Sequence, residues 1–219
     1  PNKIREQLNN YSAKLIEVID YIGAGTVEFI YDLIEKKVYF MEMNTRLQVE
    51  HPVSEMVSGV DLVRQQFEVA QGNNISNLDF KLNGHAIELR VIAEKVEQDE
   101  NGELLFVPDP GQVREVFFPE KSNVRVLQTI TSGSLVSPFY DSLVAQIICW
   151  GRSRSDAITR LVDYLKQVKI HGVSTNLALN RAILQDESFK KGSFSTGFLT
   201  DFFKRIDSQK LLSEALNDS

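Results

Sequence analysis

Cysteine is nearly absent from this chain of 219 residues, which contains one cysteine, one tryptophan and six prolines. A single cysteine cannot form an intramolecular disulfide framework, and this scarcity is typical of proteins from a reducing compartment. The one cysteine, Cys149, lies in the apolar run at residues 147–150. We therefore predict that it is a small buried hydrophobic residue.

Long apolar runs and an excess of basic residues are also missing. No stretch approaches the roughly 20 apolar residues of a membrane-spanning helix. Acidic residues outnumber basic ones by 30 to 24, which gives a formal net charge of -6, so neither nucleic acid nor membrane is an expected partner. We expect no signal peptide, and the start at Pro1 instead of methionine indicates a sequence cut from a longer protein.

Two β-branched and aromatic runs, 26–31 and 38–43, flank a polar turn and predict a β-hairpin. The polar and apolar residues continue to alternate after the second run. We therefore expect the second strand to extend to Glu50 and to end at Pro52, since proline removes a donor from the sheet.

Helices are predicted on both sides of this hairpin. Apolar residues recur at steps of three and four over residues 4–22 and predict an amphipathic helix, which Gly23 would end. A second helix is expected over residues 62–70, with Asp61 as its N-cap. The polar, turn-rich segment that follows places a predicted domain boundary at about residue 83.

Beyond the boundary the sequence predicts several strands followed by two helices and a polar tail, so the fold class is α+β. Cys149 falls in one of the strands. The strands are expected at residues 86–93, 112–118, 124–130 and 143–150, the helices near residues 158–168 and 176–184, and a polar, frayed tail after residue 205.

The hairpin also suggests a metal site. If its strands pair symmetrically about Glu35, Glu28 lies directly opposite Glu42. Two like charges that face each other across strands are destabilising. A divalent cation between them reverses the sign of this interaction, and hard oxygen ligands suit Mg²⁺ or Mn²⁺. Both glutamates are therefore candidate metal ligands.

A face of chemically varied side chains is predicted on the second strand and its continuation, where a period of two aligns Glu42, Asn44, Arg46, Gln48 and Glu50. A solvated sheet face is the plain alternative, but such faces favour lysine, glutamate and threonine, whereas this one offers acid, amide, cation, amide and acid without a lysine. An anion could lie against Arg46 and Gln48, with Glu50 in reach as a base. Next to a bound cation, this arrangement suits a reaction between metal-bound phosphate and a small anionic nucleophile.

Several longer motifs give the chain a family resemblance. Residues 23–29 read GAGTVEF and residues 42–56 read EMNTRLQVEHPVSEM. Shorter segments read GVDL at 59–62, GHAIELR at 84–90, PDPG at 108–111, YDS at 140–142 and GVSTN at 172–176. Together they closely resemble the biotin carboxylase family of ATP-grasp enzymes, over nearly the whole chain up to about Phe203.

The resemblance implies an α+β fold in two parts. Residues 1–83 would be the C-terminal portion of an ATP-grasp domain, which carries the metal and bicarbonate strand. Residues 84–205 would be the biotin carboxylase C-terminal domain, an antiparallel sheet with packed helices, and residues 206–219 a polar tail. The family's nucleotide-binding half would lie upstream of Pro1, so the isolated chain is expected to be inactive.

The resemblance also implies a reaction. ATP phosphorylates bicarbonate to carboxyphosphate, and N1 of biotin captures the CO₂ that carboxyphosphate releases. The implied residues are Glu28, Glu42 and Asn44 for Mg²⁺ or Mn²⁺; Arg46, Gln48 and the Val49 N–H for bicarbonate; Glu50 as the base for bicarbonate; and Arg90 for the biotin enolate.

The implied partners are a biotin carrier protein or domain, a carboxyltransferase component and a second copy of the chain bound through the C-terminal domain. The expected location is the cytoplasm, or the mitochondrial matrix in a eukaryote. The acceptor stays open among acetyl-CoA (as in fatty acid biosynthesis), propionyl-CoA, another acyl-CoA, pyruvate and urea. Two alternatives also stay open: another ATP-grasp ligase, such as a carbamoyl-phosphate-forming enzyme, and a non-catalytic dimerisation or folding module.

The chain departs from the family pattern at Gln146 and in a segment after Arg90. Gln146 stands where lysine is common in the family, so a cation is missing from that strand. A polar insert at residues 98–103 follows the strand of Arg90. The effect of these two changes on the biotin site or the subunit interface stays open.

Overall fold

A computed structural model describes residues 2–218 and has the α+β composition that the sequence predicts. The chain divides between Leu82 and Asn83 into two compact units. Among the described residues, no helix is both long enough and apolar enough to span a membrane.

The first helix of the first unit, α1 (Asn2–Ile19), ends earlier than predicted. Asp20 adopts a left-handed backbone conformation with φ of 49°, which aspartate tolerates better than most residues. The N–H of Tyr21 then donates to the carbonyl of Ile16 at 3.2 Å, which closes the helix end. The prediction that Gly23 ends this helix is therefore wrong.

The predicted hairpin is confirmed as the antiparallel strands β1 (Thr26–Asp32) and β2 (Lys37–Asn44). The expected extension of the second strand to Glu50 is wrong. Strand β2 ends at Asn44, which pairs with Thr26, the first residue of β1. Because β1 supplies no partner before Thr26, the chain after Asn44 leaves the sheet.

Two short helices complete the first unit. Helix α2 (His51–Ser58) was not predicted, and Pro52 lies in its first turn, where a missing N–H costs nothing. Helix α3 (Leu62–Ala70) confirms the second predicted helix. Its N-cap is Asp61, whose carboxylate accepts a hydrogen bond from the backbone N–H of Arg64 at 2.8 Å.

The second unit contains nine strands and five helices in its described part. The strands are β3 (His85–Ile92), β4 (Glu94–Gln98), β5 (Leu104–Pro108), β6 (Gly111–Gln112), β7 (Glu115–Phe117), β8 (Val124–Gln128), β9 (Leu135–Val136), β10 (Leu143–Gly151) and β11 (Lys169–His171). The helices are α4 (Arg154–Leu165), α5 (Leu177–Gln185), α6 (Glu187–Lys191), α7 (Phe198–Phe203) and α8 (Ser208–Asn217).

A three-stranded antiparallel sheet in the order β3-β10-β8 forms the centre of this unit. The middle strand, β10, is apolar along most of its length, and Ile147 and Cys149 are fully buried in the core. Helix α4 packs against this sheet with Leu161 fully buried. Ser153 caps α4 by accepting a hydrogen bond from the N–H of Asp156 at 3.2 Å.

One segment differs from its prediction, and another forms a hairpin that was not predicted. The single strand expected at residues 112–118 is divided between two partners, since β6 pairs with β9 and β7 pairs with β11. The polar insert at residues 98–103 closes an antiparallel hairpin of β4 and β5. In its turn, the carboxylate of Asp99 accepts hydrogen bonds from the backbone N–H groups of Asn101 and Glu103.

The predicted frayed tail instead contains the ordered helix α8. Leu211 and Ala215 are buried, and both pack with Ala178 of α5 in a second small core cluster. Arg181 of α5 also forms an ion pair with Asp218. A polar-looking segment forms a helix here because its few apolar residues fall on one face and meet an apolar partner.

Candidate functional site

The two candidate metal-binding glutamates face each other across the hairpin. Glu28 of β1 pairs directly with Glu42 of β2, which confirms the predicted pairing. Near the turn, however, Asp32 pairs with Lys37, and this register alone would place Glu28 opposite Met41. A β-bulge after Glu28 adds one residue to β2 and brings Glu42 into the pair. Bulges commonly redirect side chains beside active sites in this way.

Amide groups bridge the two carboxylates. The Nδ2 of Asn44 donates to Oε1 of Glu28 at 2.9 Å and to Oε1 of Glu42 at 3.2 Å. The Nε2 of Gln48 reaches the same oxygen of Glu28 at 3.3 Å. These neutral donors offset part of the repulsion between two like charges, and a cation would offset it more strongly.

The oxygen atoms available here suit a hard divalent cation only if an amide oxygen is one of the ligands. Within residues 2–218, no three His, Cys, Asp or Glu side chains are grouped so that they could hold a metal. Glu28 and Glu42 supply two carboxylates, and the amide of Asn44 offers an oxygen once its orientation is reversed. Two carboxylates with an amide oxygen suit Mg²⁺, which usually keeps water or phosphate oxygens as its other ligands.

Residues 45–50 form a bend and a turn, and four of these residues line one cavity of about 400 Å³. Three of them are the predicted Arg46, Gln48 and Glu50, and the fourth is Leu47. The glycine-rich turn at residues 23–26 forms another part of the wall. The secondary structure predicted for this segment is wrong, yet the structure brings these three predicted residues together. Val49 belongs to the same turn but does not line the cavity.

The N-terminus of α2 also opens onto this cavity. Glu50 is its N-cap residue and makes no side-chain capping hydrogen bond, and His51 and Ser54 line the cavity. Helix N-termini carry partial positive charge, so this end of α2 adds to the cation of Arg46 in favouring an anion. His51 itself contacts the carbonyl of Gln48 through Nδ1 at 2.7 Å, which holds the turn in place.

Sequence reasoning missed two parts of this cavity, the glycine-rich turn and the end of α2. A Cβ atom on Gly25 would lie 3.0 Å from the methyl carbon of Met43 and 3.2 Å from the carbonyl oxygen of Asn44. Glycine therefore lets this turn pass close to the end of β2. For α2, the signal was present: Pro52 suits a first helical turn, and Gly59 ends the helix with φ of 73°.

Arg90 lies on β3 in the second unit, and its side chain is about half exposed (49%). Its Nε is 3.9 Å from Oε1 of Glu88, whose side chain is nearly buried. Gln146 lies directly opposite Arg90 on β10 and donates from Nε2 to the same oxygen of Glu88 at 2.9 Å. Gln146, which the resemblance marks as a departure from the family pattern, thus belongs to the immediate polar surroundings of Arg90.

Two family models match the chain in succession. The carbamoyl-phosphate synthase L chain ATP-binding domain matches residues 1–78, which include every candidate residue of the first unit. The biotin carboxylase C-terminal domain matches residues 88–201, more than half of the chain, and this range includes Arg90.

The chain belongs to the biotin carboxylase family.

Curated members of the biotin carboxylase family are similar to this chain along most of its length. Biotin carboxylase 1 of Bacillus subtilis is 40% identical over 203 residues, which are 92% of this chain and 44% of that protein. The biotin carboxylase of Haemophilus influenzae is 40% identical over 199 residues, which are 90% of this chain and 42% of that protein. The chain therefore spans less than half the length of these relatives.

Solved structures of the biotin carboxylase family share the fold. A biotin carboxylase from Campylobacter jejuni, in a beta-gamma-ATP complex, is similar with a TM-score of 0.84 and 35% identity, over 92% of this chain and 44% of that one. The biotin carboxylase domain dimer of Hydrogenobacter thermophilus 2-oxoglutarate carboxylase, in complex with MgADP, ADP and bicarbonate, is similar with a TM-score of 0.83 and 34% identity. This second match covers 94% of this chain and 45% of the other.

Proposed function

We propose that this chain contributes the metal, bicarbonate and biotin residues of a biotin carboxylase, which uses ATP and bicarbonate to carboxylate N1 of biotin. The observation that carries the proposal is the cavity of the first unit. There Arg46, Gln48 and Glu50 line one space, and Gln48 is hydrogen-bonded to Glu28, one of the two facing carboxylates. An anion site beside a cation site is what a reaction between bicarbonate and metal-bound ATP requires.

In the first step, Arg46, Gln48 and the N–H of Val49 hold bicarbonate. The guanidinium group of Arg46 supplies the opposite charge, and the amide of Gln48 supplies a directional hydrogen bond. Glu50 accepts the proton of bicarbonate, and the freed oxygen attacks the terminal phosphorus of ATP. The P–O bond to ADP breaks, so the products are ADP and carboxyphosphate.

Glu28, Glu42 and Asn44 would hold Mg²⁺ or Mn²⁺. A cation bound there would neutralise charge on the phosphate groups of ATP and on the two facing carboxylates. The bulge after Glu28 supports this assignment, because it brings the two carboxylates opposite each other where a regular hairpin would separate them.

In the second step, carboxyphosphate breaks into CO₂ and phosphate, and the phosphate removes the proton from N1 of biotin. Arg90 stabilises the negative charge that develops on the ureido oxygen of biotin, and N1 then attacks CO₂. The half-exposed side chain of Arg90 supports this role, because it can meet a substrate that arrives from solvent.

We further propose that the complete reaction needs groups that this chain does not contain, including part of the ATP site. The chain spans 44% of the Bacillus subtilis relative. Several large apolar side chains of the first unit are also exposed, among them Ile22 (75%), Phe40 (55%) and Phe67 (66%). Large apolar side chains that stay exposed in one compact unit support the proposal that another part of the protein covers some of them.

The proposed partners are a biotin carrier, a carboxyltransferase component and a second copy of the chain. The dimeric biotin carboxylase domain of Hydrogenobacter thermophilus supports the last of these. Sedimentation of the chain tests it: a concentration-dependent dimer is expected, and a monomer at all concentrations would contradict it.

The function is tested by the release of ADP from ATP by the complete gene product, with and without bicarbonate and free biotin. We expect release that needs both additions. Glu50→Gln should slow it by about 100-fold or more, because it removes a general base. Glu17→Gln, a matched change on an exposed glutamate of α1, should leave the rate unchanged.

Two further results would decide between this proposal and its alternatives. ADP release that is indifferent to biotin would refute the proposed function and would favour another ATP-grasp ligase. The 219-residue chain, assayed alongside, is expected to release no ADP. If it matched the rate of the complete gene product, the chain would hold the whole ATP site, and the need for further groups would be disproved.

A further inference from the structure

Asn176 occupies the N-cap position of α5 but does not cap this helix. Asparagine is favoured at N-caps because its side-chain oxygen accepts a hydrogen bond from the first turn. Here the side chain makes no such bond, although the backbone carbonyl of Asn176 accepts the helical N–H of Asn180 at 2.9 Å. Since Asn176 is buried (6% exposed), its side-chain amide must find partners elsewhere in the protein.

Those partners are on the free edge of β3, at Arg90 and Ile92. The Nδ2 of Asn176 donates to the carbonyl of Arg90 at 3.1 Å, and its Oδ1 accepts from the N–H of Ile92 at 3.0 Å. The backbone N–H of Asn176 donates to the carbonyl of Ile92 at 3.1 Å. In the part of the chain that the structure describes, strand β3 pairs with a strand on one side only, so a single residue supplies the hydrogen bonds that a further strand would make.

A second asparagine supports this contact from the next turn of α5. The Nδ2 of Asn180 lies 3.2 Å from Oδ1 of Asn176 and 3.4 Å from the carbonyl of Arg90. The orientation of the Asn176 amide follows from its partners, because only its nitrogen can donate to a carbonyl and only its oxygen can accept from an N–H. Two amides of α5 are therefore directed at the one residue of β3 that is proposed to meet biotin.

We propose that Asn176 is a positioning residue for Arg90, and this inference rests on the function proposed above. The backbone at Arg90 sets the position and the direction from which its long side chain reaches the substrate. Asn176 fixes that backbone on the edge of the sheet where no strand does so. A displacement of about 1 Å at a reacting group can cost on the order of 100-fold in rate.

Asn176→Asp isolates the contact to Arg90. Aspartate caps helices as well as asparagine does, and its oxygen can still accept from the N–H of Ile92. It has no N–H to donate to the carbonyl of Arg90 and instead places a negative oxygen against that carbonyl. In the complete gene product, we expect biotin-dependent ADP release to fall on the order of 10-fold or more. Asn10→Asp, on an exposed position of α1, controls for the added charge.

A double-mutant comparison separates positioning from general stability. If Asn176 acts through Arg90, Asn176→Asp lowers biotin-dependent ADP release in the normal background but adds nothing in an Arg90→Gln background. An equal loss in both backgrounds, or no loss in either, would overturn this inference and leave the proposed function intact. By contrast, a protein without biotin-dependent release in any form would overturn the proposed function itself.

Asn180→Ala is the second variant in case Asn176→Asp fails to fold. It removes the 3.4 Å contact to the carbonyl of Arg90 and the 3.2 Å bond to Asn176, but leaves the shorter bond from Asn176 to that carbonyl. A smaller loss with the same dependence on Arg90 is therefore expected. Hydrogen exchange on the 219-residue chain gives a measurement that needs no activity. The amide of Ile92 should exchange faster in Asn176→Ala, and unchanged exchange there would contradict the contact.

Discussion

Replacing Glu42 with glutamine should make the first unit more stable without a divalent cation and less responsive to one. Glu28 and Glu42 face each other across β1 and β2, where like charges destabilise a sheet by about 0.2–1 kcal/mol. Glutamine is nearly the same size and carries no charge. We therefore expect Glu42→Gln to raise the free energy of unfolding by a few tenths of a kcal/mol in the absence of Mg²⁺.

The order of stability should reverse when Mg²⁺ is added. A ligand that binds only the folded state stabilises it by RT ln(1 + [L]/Kd), about 1.4 kcal/mol at a free concentration ten times Kd. The normal chain should gain this amount. Glu42→Gln retains one carboxylate and the amide of Asn44, so its gain should be much smaller.

Thermal unfolding followed by circular dichroism, with and without Mg²⁺ at constant ionic strength, measures both effects. Glu17→Gln removes one exposed negative charge from α1 and serves as the matched control, with an unaltered response to Mg²⁺. An equal rise of the unfolding temperature in the normal chain and in Glu42→Gln would refute the reasoning. The cation would then act by general screening and not at the facing pair.

Three other predictions concern the second unit. Leu211→Ala should lower the free energy of unfolding by about 2–5 kcal/mol in urea titrations, because Leu211 is buried in α8, whereas Leu33→Ala at an exposed position should have little effect. Burial raises the pKa of the Cys149 thiol from 9.0 to about 11. A thiol reagent at neutral pH should therefore label Cys149 only after unfolding. The free energy of unfolding should also fall as the pH rises from 9.0 towards 11, where the thiol ionises in the unfolded chain first. Gly84→Ala should destabilise the chain in the same titrations, because φ at this position is +71° and the new Cβ would lie 2.4 Å from the carbonyl oxygen of Gly151. Full stability of either the Leu211 or the Gly84 variant, or rapid labelling of folded Cys149, would contradict these arguments.

The candidate site shows how a correct prediction can rest on a wrong geometry. Symmetric pairing about Glu35 placed Glu28 opposite Glu42, and the structure contains this pair, but only because a bulge corrects the register of the turn. Likewise, Arg46 and Glu50 were assigned to one face of a strand, and they line one cavity from a bend and a turn. Alternation in a sequence cannot distinguish these cases, because it does not show whether a neighbouring strand exists to pair with.

By itself, the sequence determined the elements whose signals are local. The apolar residues of α4 recur with the helical period behind the cap Ser153, and β10 is an almost uninterrupted apolar run, so both segments form where their own residues favour them. The motif at residues 42–56 pointed to the family for the same reason, since the residues proposed to hold one small anion lie close together in the chain.

Only the tertiary structure decided the features that join distant residues. Asn176 leaves its own helix uncapped and holds the carbonyl of Arg90, 86 positions away. The helix α8 forms because Leu211 meets Ala178 of α5, although the segment looks like a polar tail. Local propensity describes the conformation that each segment favours in isolation. The free energy gained from burial and from buried hydrogen bonds depends instead on which other segment packs against it.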